Sequence, residues 1–317
     1  PGPSMTPAGL PAVHPGLQWP SGPPEMLPVP LGLTRDLCVC GFFSEGMLFE
    51  STAHAETKDF FAHNTCRLVI FIQPLRIYFA LLGPREDLIY CKEYYNSQQS
   101  VDVLFLRYAF EQEKILSHSF ASIKVYIDTE FCLIPDQDDF LKERYDFARF
   151  MLNEDIGKED IYYHPMAKSD IAGLFIPPQL WIDLLNEYLP SYELASGSEL
   201  SFRLGNLLHN ALKPLILIHL MDEHVNISGF KREKLEFIQR YPYRSVLDLV
   251  YFIQLSSSLL NKGGKVDLYL VGEMDEESEN WEELKKYFPR IKFPPSLRHR
   301  SQKDPSQSPW WKYTYLN

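Results

Sequence analysis

Cysteine is scarce in this sequence, and long apolar runs are missing from it. The five cysteines are an odd number, and only Cys38 and Cys40 are close together. This spacing fits neither a disulfide framework nor a tetrahedral zinc site, so we expect a reducing compartment. No apolar run approaches the roughly 20 residues needed to cross a bilayer, and no basic start leads into an apolar core of the secretory kind. The sequence therefore predicts a cytoplasmic protein without membrane insertion.

Positive charge is also in short supply. The chain has 31 lysine and arginine residues against 42 aspartate and glutamate residues, and its formal net charge is −11. Binding to a phosphate backbone requires clustered basic residues that release counterions, so nucleic acid is not an expected partner. The sequence also contains no Walker-type loop, dinucleotide fingerprint, nucleophile elbow or metalloprotease helix. The enzyme classes that depend on these motifs are therefore not indicated.

The chain is long enough for two domains. It has 317 residues, of which 45% are apolar and 14% aromatic, whereas one domain usually takes about 100 to 200 residues. Residues 1–33 hold ten of the 24 prolines, and no periodic pattern emerges before residue 60. We therefore predict a disordered or poorly ordered leader at 1–60, and a tail rich in proline, serine and basic residues at 296–317.

The clearest pattern begins at Pro214. Turn-sized breaks separate three apolar segments there, which predicts two antiparallel hairpins. Ser245 and Asp248 then form a capping box that opens a helix with an apolar row. The predicted elements are strands at 215–221, 224–230 and 234–241, a helix from Ser245, a strand at 265–271, a short helix at 280–288 and a last strand near Phe293. This order is typical of a ribonuclease-H-like unit.

The same order occurs about 150 residues earlier in the chain. The predicted elements there are strands at 66–72, 76–82 and 87–95, a helix at 101–116, a strand at 122–128 and a helix that starts at Asp136. Between the two copies lie a strand-like run at 171–176 and two helices, which start at Pro178 and Ser198. The sequence therefore predicts an α/β protein with two ribonuclease-H-like units, a first lobe at 61–212 and a second lobe at 213–295.

A doubled unit of this kind resembles the actin-like ATPase superfamily. More closely, the chain is similar to a bacterial family, domain of unknown function 3822, which looks like a divergent member of that superfamily. The matching stretches are 68–82, 131–135 at the start of a helix, 235–253 and 267–272. The resemblance implies an actin-like architecture of two lobes with a cleft between them.

Members of the superfamily cradle nucleotide phosphates on two hairpin turns of Asp-x-Gly type, and a glycine-rich turn holds the nucleoside. Carried over to this sequence, the first turn, 73–75, has neither the aspartate nor the glycine. The second turn, 221–224, keeps Asp222 but lacks the glycine. The third turn keeps Gly272, and seven carboxylates follow between Glu273 and Glu283. The resemblance therefore implies Asp222 and Gly272 as the candidate cofactor-binding residues.

The altered turns predict that ATP hydrolysis has been lost, with no catalytic residue, no cofactor and no metal ion. Our leading hypothesis is a non-catalytic scaffold, a pseudoenzyme of actin-like architecture that binds another protein. The alternative is a residual ATP-binding protein, ATPase or kinase that uses Asp222 together with ATP and magnesium. Neither the protein partner nor the oligomeric state is indicated.

Two further hypotheses concern metal chemistry. His219, Asp222 and His224 are ligand types at short spacing, but the two histidines differ by an odd number and would start on opposite faces of a strand. A ribonuclease-H nuclease needs convergent carboxylates, one of them on the first strand. The first strands of both units carry none, which leaves Asp128 and Asp248; these we interpret as a strand end and a helix cap.

Overall fold

The computed structural model describes most of the chain between residues 49 and 294. The described residues are 49–55, 65–84, 88–96, 101–137, 140, 142–152, 161–166, 169–209, 213–232, 234–261, 264–272, 274 and 277–294. The predicted leader up to residue 48 and the predicted tail at 296–317 lie outside them.

Strands and helices alternate along the described chain. The strands are β1 (Phe49–Ala55), β2 (Arg67–Ile72), β3 (Arg76–Leu82), β4 (Leu88–Asn96), β5 (Ser122–Ile127), β6 (Phe131–Pro135), β7 (Tyr162–Pro165), β8 (Ile171–Phe175), β9 (Glu193–Ser196), β10 (Leu215–Leu220), β11 (His224–Lys231), β12 (Lys234–Pro242) and β13 (Asp267–Gly272). The α-helices are α1 (Val103–Gln112), α2 (Arg144–Leu152), α3 (Gln179–Tyr188), α4 (Gly197–Leu208), α5 (Val246–Leu260) and α6 (Glu279–Tyr287).

The first unit is built on a sheet with the strand order β1–β4–β3–β2–β5–β9. Strands β2, β3 and β4 form an antiparallel meander, and β5 lies parallel to β2 with Ile127 beside Ile72. Strand β2 is apolar along almost its whole length because both of its faces are covered. Strand β9 completes the sheet beside β5, also in parallel.

The second unit repeats this connectivity. Strand β10 pairs with β11 in antiparallel and with β13 in parallel, in the sheet order β12–β11–β10–β13. A parallel bridge between Tyr269 and Lys292 stands where a fifth strand would join. The N-cap of α5 is the capping box that the sequence predicts, with Ser245 and Asp248 as its two members. The prediction of two ribonuclease-H-like units is therefore confirmed.

Two parts of the first unit differ from the prediction. The helix predicted to start at Asp136 starts later, because residues 136 and 137 are not helical and helix α2 runs from Arg144 to Leu152. Residues 131–135, expected only to lead into this helix, form strand β6. Strands β6, β8 and β7 form a small separate sheet, in which β8 confirms the strand-like run at 171–176. This sheet and α2 are inserted after β5, so the helix that leads into the unit's last strand is α3. Helix α3, predicted from Pro178 as part of the link between the two copies, therefore leads into β9 of the first sheet.

Strand β1 lies inside the stretch predicted to be a poorly ordered leader. It pairs in antiparallel with β4, from Phe49 beside Asn96 onward. Its sequence, Phe-Glu-Ser-Thr-Ala-His-Ala, has too little apolar alternation to be recognised as a strand. Its pairing with a neighbouring strand edge decides its structure.

Helix α4 lies between the two units and joins their cores. One apolar cluster contains side chains from the first unit, from α4 and from the second unit, among them Phe71, Tyr126, Leu200, Phe202, Leu217 and Phe230. Ser196 caps the helix, whereas the sequence predicted a cap at Ser198. Gly205 lets α4 approach the second unit closely, because a Cβ atom there would lie 2.1 Å from the ring of Phe230.

Within the described residues, no helix combines the length and the apolar character that a membrane crossing demands.

Candidate functional site at the junction of the two units

The first hairpin turns of the two units meet each other. Strand β2 ends at Ile72 and β10 ends at Leu220, and the turns that follow them, 73–75 and 221–223, are in contact. The Gln73 side-chain amide lies 3.4 Å from the sulfur of Met221. These two turns are the ones that the actin-like resemblance assigns to phosphate binding.

Asp222, the candidate ligand on the second turn, is bound to the first unit. The Leu75 amide donates to its carboxylate at 3.3 Å, and the Arg76 guanidinium forms an ion pair with it. The Asp222 side chain is only 1% exposed. Arg76 also pairs with Glu93 and lies 4.6 Å above the ring of Tyr95, so its position is held from several sides.

The backbone donors of the first turn are bonded within the protein. The Gln73 amide donates to the Arg76 carbonyl at 2.8 Å, and the Arg76 amide donates back at 3.4 Å. Pro74 has no N–H group, and the Leu75 amide donates to Asp222. A phosphate group at this turn would therefore have to displace an existing hydrogen bond before it could accept one.

A second ion-pair cluster joins the units at Asp128. This residue directly follows β5, as the sequence predicts, and its side chain is 1% exposed. Its carboxylate lies 3.1 Å from His224 Nε2 and accepts a 2.7 Å bond from Arg240. Arg240 also donates to the Thr129 carbonyl at 3.1 Å. Sequence reasoning missed this cluster, because His224 and Arg240 come from the other unit.

His219 is enclosed where β10 faces α4. Its side chain is fully buried, and Nδ1 lies 2.9 Å from the hydroxyl of Ser201. Burial lowers the pKa of His219 to about 3, against an opposing attraction from Asp128. The imidazole is therefore neutral near pH 7 and offers no positive charge to a phosphate.

The three residues weighed as a metal site each have a different partner. His219 bonds to Ser201, Asp222 pairs with Arg76, and His224 contacts Asp128. Among the residues that the structure describes, no group of three or more histidine, cysteine, aspartate or glutamate side chains could hold a metal ion.

Gly272, the other candidate, is at the end of β13 beside Leu220. Its φ is +97°, and a Cβ atom there would lie 2.0 Å from the Leu220 carbonyl oxygen. Only glycine tolerates this backbone and this approach. The register of β10 and β13 thus brings Gly272 to the same sheet edge as the turn that carries Asp222. The backbone alone accounts for glycine at this position.

The acidic run after Gly272 leads into helix α6. Ser278 caps the helix, and Glu279 and Glu282 occupy its first turn, where the helix dipole stabilises negative charge. Asp248, the other acid considered from the sequence, accepts bonds from the Arg244 and Ser245 amides, which confirms its role as a helix cap. Residues 273, 275 and 276 lie outside the described chain.

The Arg76–Asp222 pair provides a direct test of the junction. Replacing Arg76 with methionine leaves the buried Asp222 carboxylate without its cation, and we expect the free energy of unfolding to fall by about 3 kcal/mol. Urea denaturation measures this change. The matched control is Arg107→Met, because Arg107 pairs with Glu187 at 2.8 Å in an exposed position, where water screens the two charges and a much smaller loss is expected. Equal losses in the two variants would contradict a stabilising junction.

His219 makes stability depend on pH. Burial lowers its pKa from the usual 6.5 to about 3 in the folded chain, so between these values the unfolded chain binds a proton that the folded chain does not. The free energy of unfolding should therefore fall with falling pH, by up to about 1.4 kcal/mol per pH unit from this group. In His219→Asn this part of the slope should disappear.

Denaturant unfolding between pH 4 and 6, about the middle of this window, measures that slope. The exposed His118, replaced by asparagine in the same way, is the matched control. If the two variants showed the same pH dependence, His219 would not be the group responsible.

The fold is similar to that of solved actin-like proteins. A protein with actin-like ATPase fold and unknown function from Bacteroides thetaiotaomicron matches with a TM-score of 0.60 and 17% identity, covering 76% of this chain and 95% of that one. A chain of the PilM–PilN type IV pilus biogenesis complex matches with a TM-score of 0.50 and 10% identity, covering 79% and 96%. At such identities the likeness shows the fold alone, which is the actin-like ATPase fold.

The sequence comparison gives the family. No curated protein matches this chain. The model of the family described as "Protein of unknown function (DUF3822)" matches residues 55–291, which is more than half of the chain and confirms the predicted resemblance. The chain therefore belongs to the DUF3822 family.

Proposed function

We propose that this protein is a non-catalytic actin-like scaffold that binds another protein. The observation that carries the proposal is the ion pair between Arg76 and Asp222. In the superfamily pattern, the aspartate of this turn holds magnesium through water. Here Arg76 supplies the positive charge that magnesium would supply, and it is the first residue after the facing turn.

Electrostatics and hydrogen bonding also disfavour a nucleotide between the two turns. A nucleotide between the turns would have to break the Leu75–Asp222 bond and separate a buried ion pair, which is costly. It would also bring phosphate charge close to the carboxylates of Asp222 and Asp128. Neither turn supplies the Asp-x-Gly sequence that would offset these costs.

The retained fold supports binding to a protein. One structure with a similar fold belongs to a two-protein complex, PilM–PilN. An architecture that has lost the residues for one activity can still serve another, because one fold hosts many functions. The domain boundaries at 61–212 and 213–295 and the identity of the partner stay predictions.

We also propose a cytoplasmic location. Cys66, Cys91 and Cys132, the described cysteines, are buried free thiols. Burial raises the pKa of Cys91 well above its usual value and that of Cys132 to about 11. These three thiols are therefore protonated and enclosed, which supports the reducing compartment expected from the sequence.

The scaffold proposal predicts that ATP or ADP with magnesium leaves the melting temperature unchanged. A nucleotide at 100 times its dissociation constant would add about 2.7 kcal/mol of stability, which is a rise of about 5–10 °C for a domain of this size. Thermal-shift titration of the full chain measures it. A rise of that size would favour the alternative, a residual ATP-binding protein, ATPase or kinase.

Under that alternative, Asp222→Ala should abolish nucleotide turnover. Unchanged turnover in this variant would show that Asp222 does not have that role.

The scaffold proposal also predicts a protein partner. Affinity purification of the tagged full chain from its native host should recover one protein in near-equal amount, with or without added ATP and magnesium. The recovery should also survive Asp222→Asn, because nucleotide plays no part in it. Recovery that required nucleotide would contradict the proposal, and so would recovery of the tagged chain alone.

A further inference from the structure

Helix α5 is apolar on both of its sides. Its inner side, with Leu249, Val250, Ile253 and Leu260, is buried in the core of the second unit. On its outer side, Leu247, Tyr251, Leu255 and Leu259 are exposed by 57%, 61%, 36% and 59%. These four residues are each four positions apart, so they form one line along the helix, which we call the outer stripe.

An apolar outer side is unusual for a helix that faces water. Surface helices carry charged or polar residues opposite their buried side, and helices that are apolar all round are normally covered on all sides. The outer stripe has no charged member. At its end, Leu259 lines a groove of 340 Å³ together with Lys231, Arg232, Glu236, Phe237 and Leu260. The stripe and groove together form a surface that another chain segment could cover.

This sequence contains a segment suited to that surface. Residues 310–316, which lie outside the described chain, read Trp-Trp-Lys-Tyr-Thr-Tyr-Leu. Tryptophan and tyrosine supply large apolar areas and are enriched where protein surfaces meet. Five of these seven residues are aromatic or leucine, whereas the preceding residues 295–309 are mostly proline, serine and charged residues.

The attachment point and the length of the connection allow contact within one chain. The described chain ends at Pro294, just after Phe293 stacks on Trp281 at 4.5 Å, and both rings belong to the cluster that holds the inner side of α5. Sixteen residues lead from Pro294 to Trp310, and a random-coil chain of that length spans about 20–24 Å. Helix α5 has 15 residues and is about 22 Å long. The connection is therefore about as long as the helix that carries the stripe.

We propose that the segment 310–316 lies along the outer stripe of α5 in the same chain. Tethering supplies an effective concentration in the millimolar range, so even a weak apolar contact is occupied. A second copy is a poorer occupant, because a stable dimer buries about 800 Å² per partner, more than four partly exposed side chains on one helix offer. This proposal does not depend on the scaffold function.

Hydrogen exchange of the full chain tests the contact. In Tyr251→Ser/Leu255→Ser, the amides of 310–316 should exchange at least about tenfold faster than in the unchanged chain, because two apolar contacts are lost. The matched control is Leu104→Ser/Leu180→Ser, whose leucines are both 63% exposed but lie on α1 and α3. In this control the exchange of 310–316 should not change.

A thermodynamic cycle tests the contact even if docking does not slow the hydrogen exchange of the 310–316 amides. Trp310→Ser/Trp311→Ser and the stripe variant should each raise the unfolding equilibrium constant, and combining all four substitutions should raise it no further than the larger single effect. Additive effects of the two pairs would overturn the proposal. If protection of the stripe from exchange grew with protein concentration, a second copy of the chain would be its occupant. If the stripe were protected only when a purified partner was added, that partner would be the occupant. Either result would overturn the proposal.

Discussion

The ion pair between Arg76 and Asp222 is the interaction on which the junction depends. It joins the first hairpin of one unit to the first hairpin of the other, at the edge where β2 and β10 end. The Asp222 carboxylate is almost fully buried, and a buried carboxylate is tolerated only with a charge partner or several hydrogen bonds. Arg76 provides that partner. Because Arg76 belongs to the first unit and Asp222 to the second, the buried carboxylate keeps this partner only while the two units are in contact.

Two further contacts make this junction continuous. Asp128 binds His224 and Arg240 across the units, and α4 fills the space behind it with apolar side chains shared by both cores. In the actin-like pattern the same strand ends face a nucleotide. In this chain the turns at these strand ends contact each other.

The prediction from sequence succeeded where structure depends on near neighbours. The hairpins of the second unit, the capping box at Ser245 and the repetition of one unit all follow from residues a few positions apart. It did not identify strand β6, whose partner β8 lies about 40 residues later, and it placed the start of the next helix at Asp136, before α2 begins. It also missed α3 and β9 as the completion of the first unit, since that insertion separates them from β5.

The sequence by itself determined the α/β class, the doubled unit, the family and the loss of the Asp-x-Gly turns. Only the tertiary structure decided what took the place of those turns. Asp222 and Arg76 are 146 residues apart, and Asp128 is 96 residues from His224 and 112 from Arg240. No local pattern records such pairs, because an ion pair depends on the distance between two groups in space, and folding brings these groups together only when the units meet.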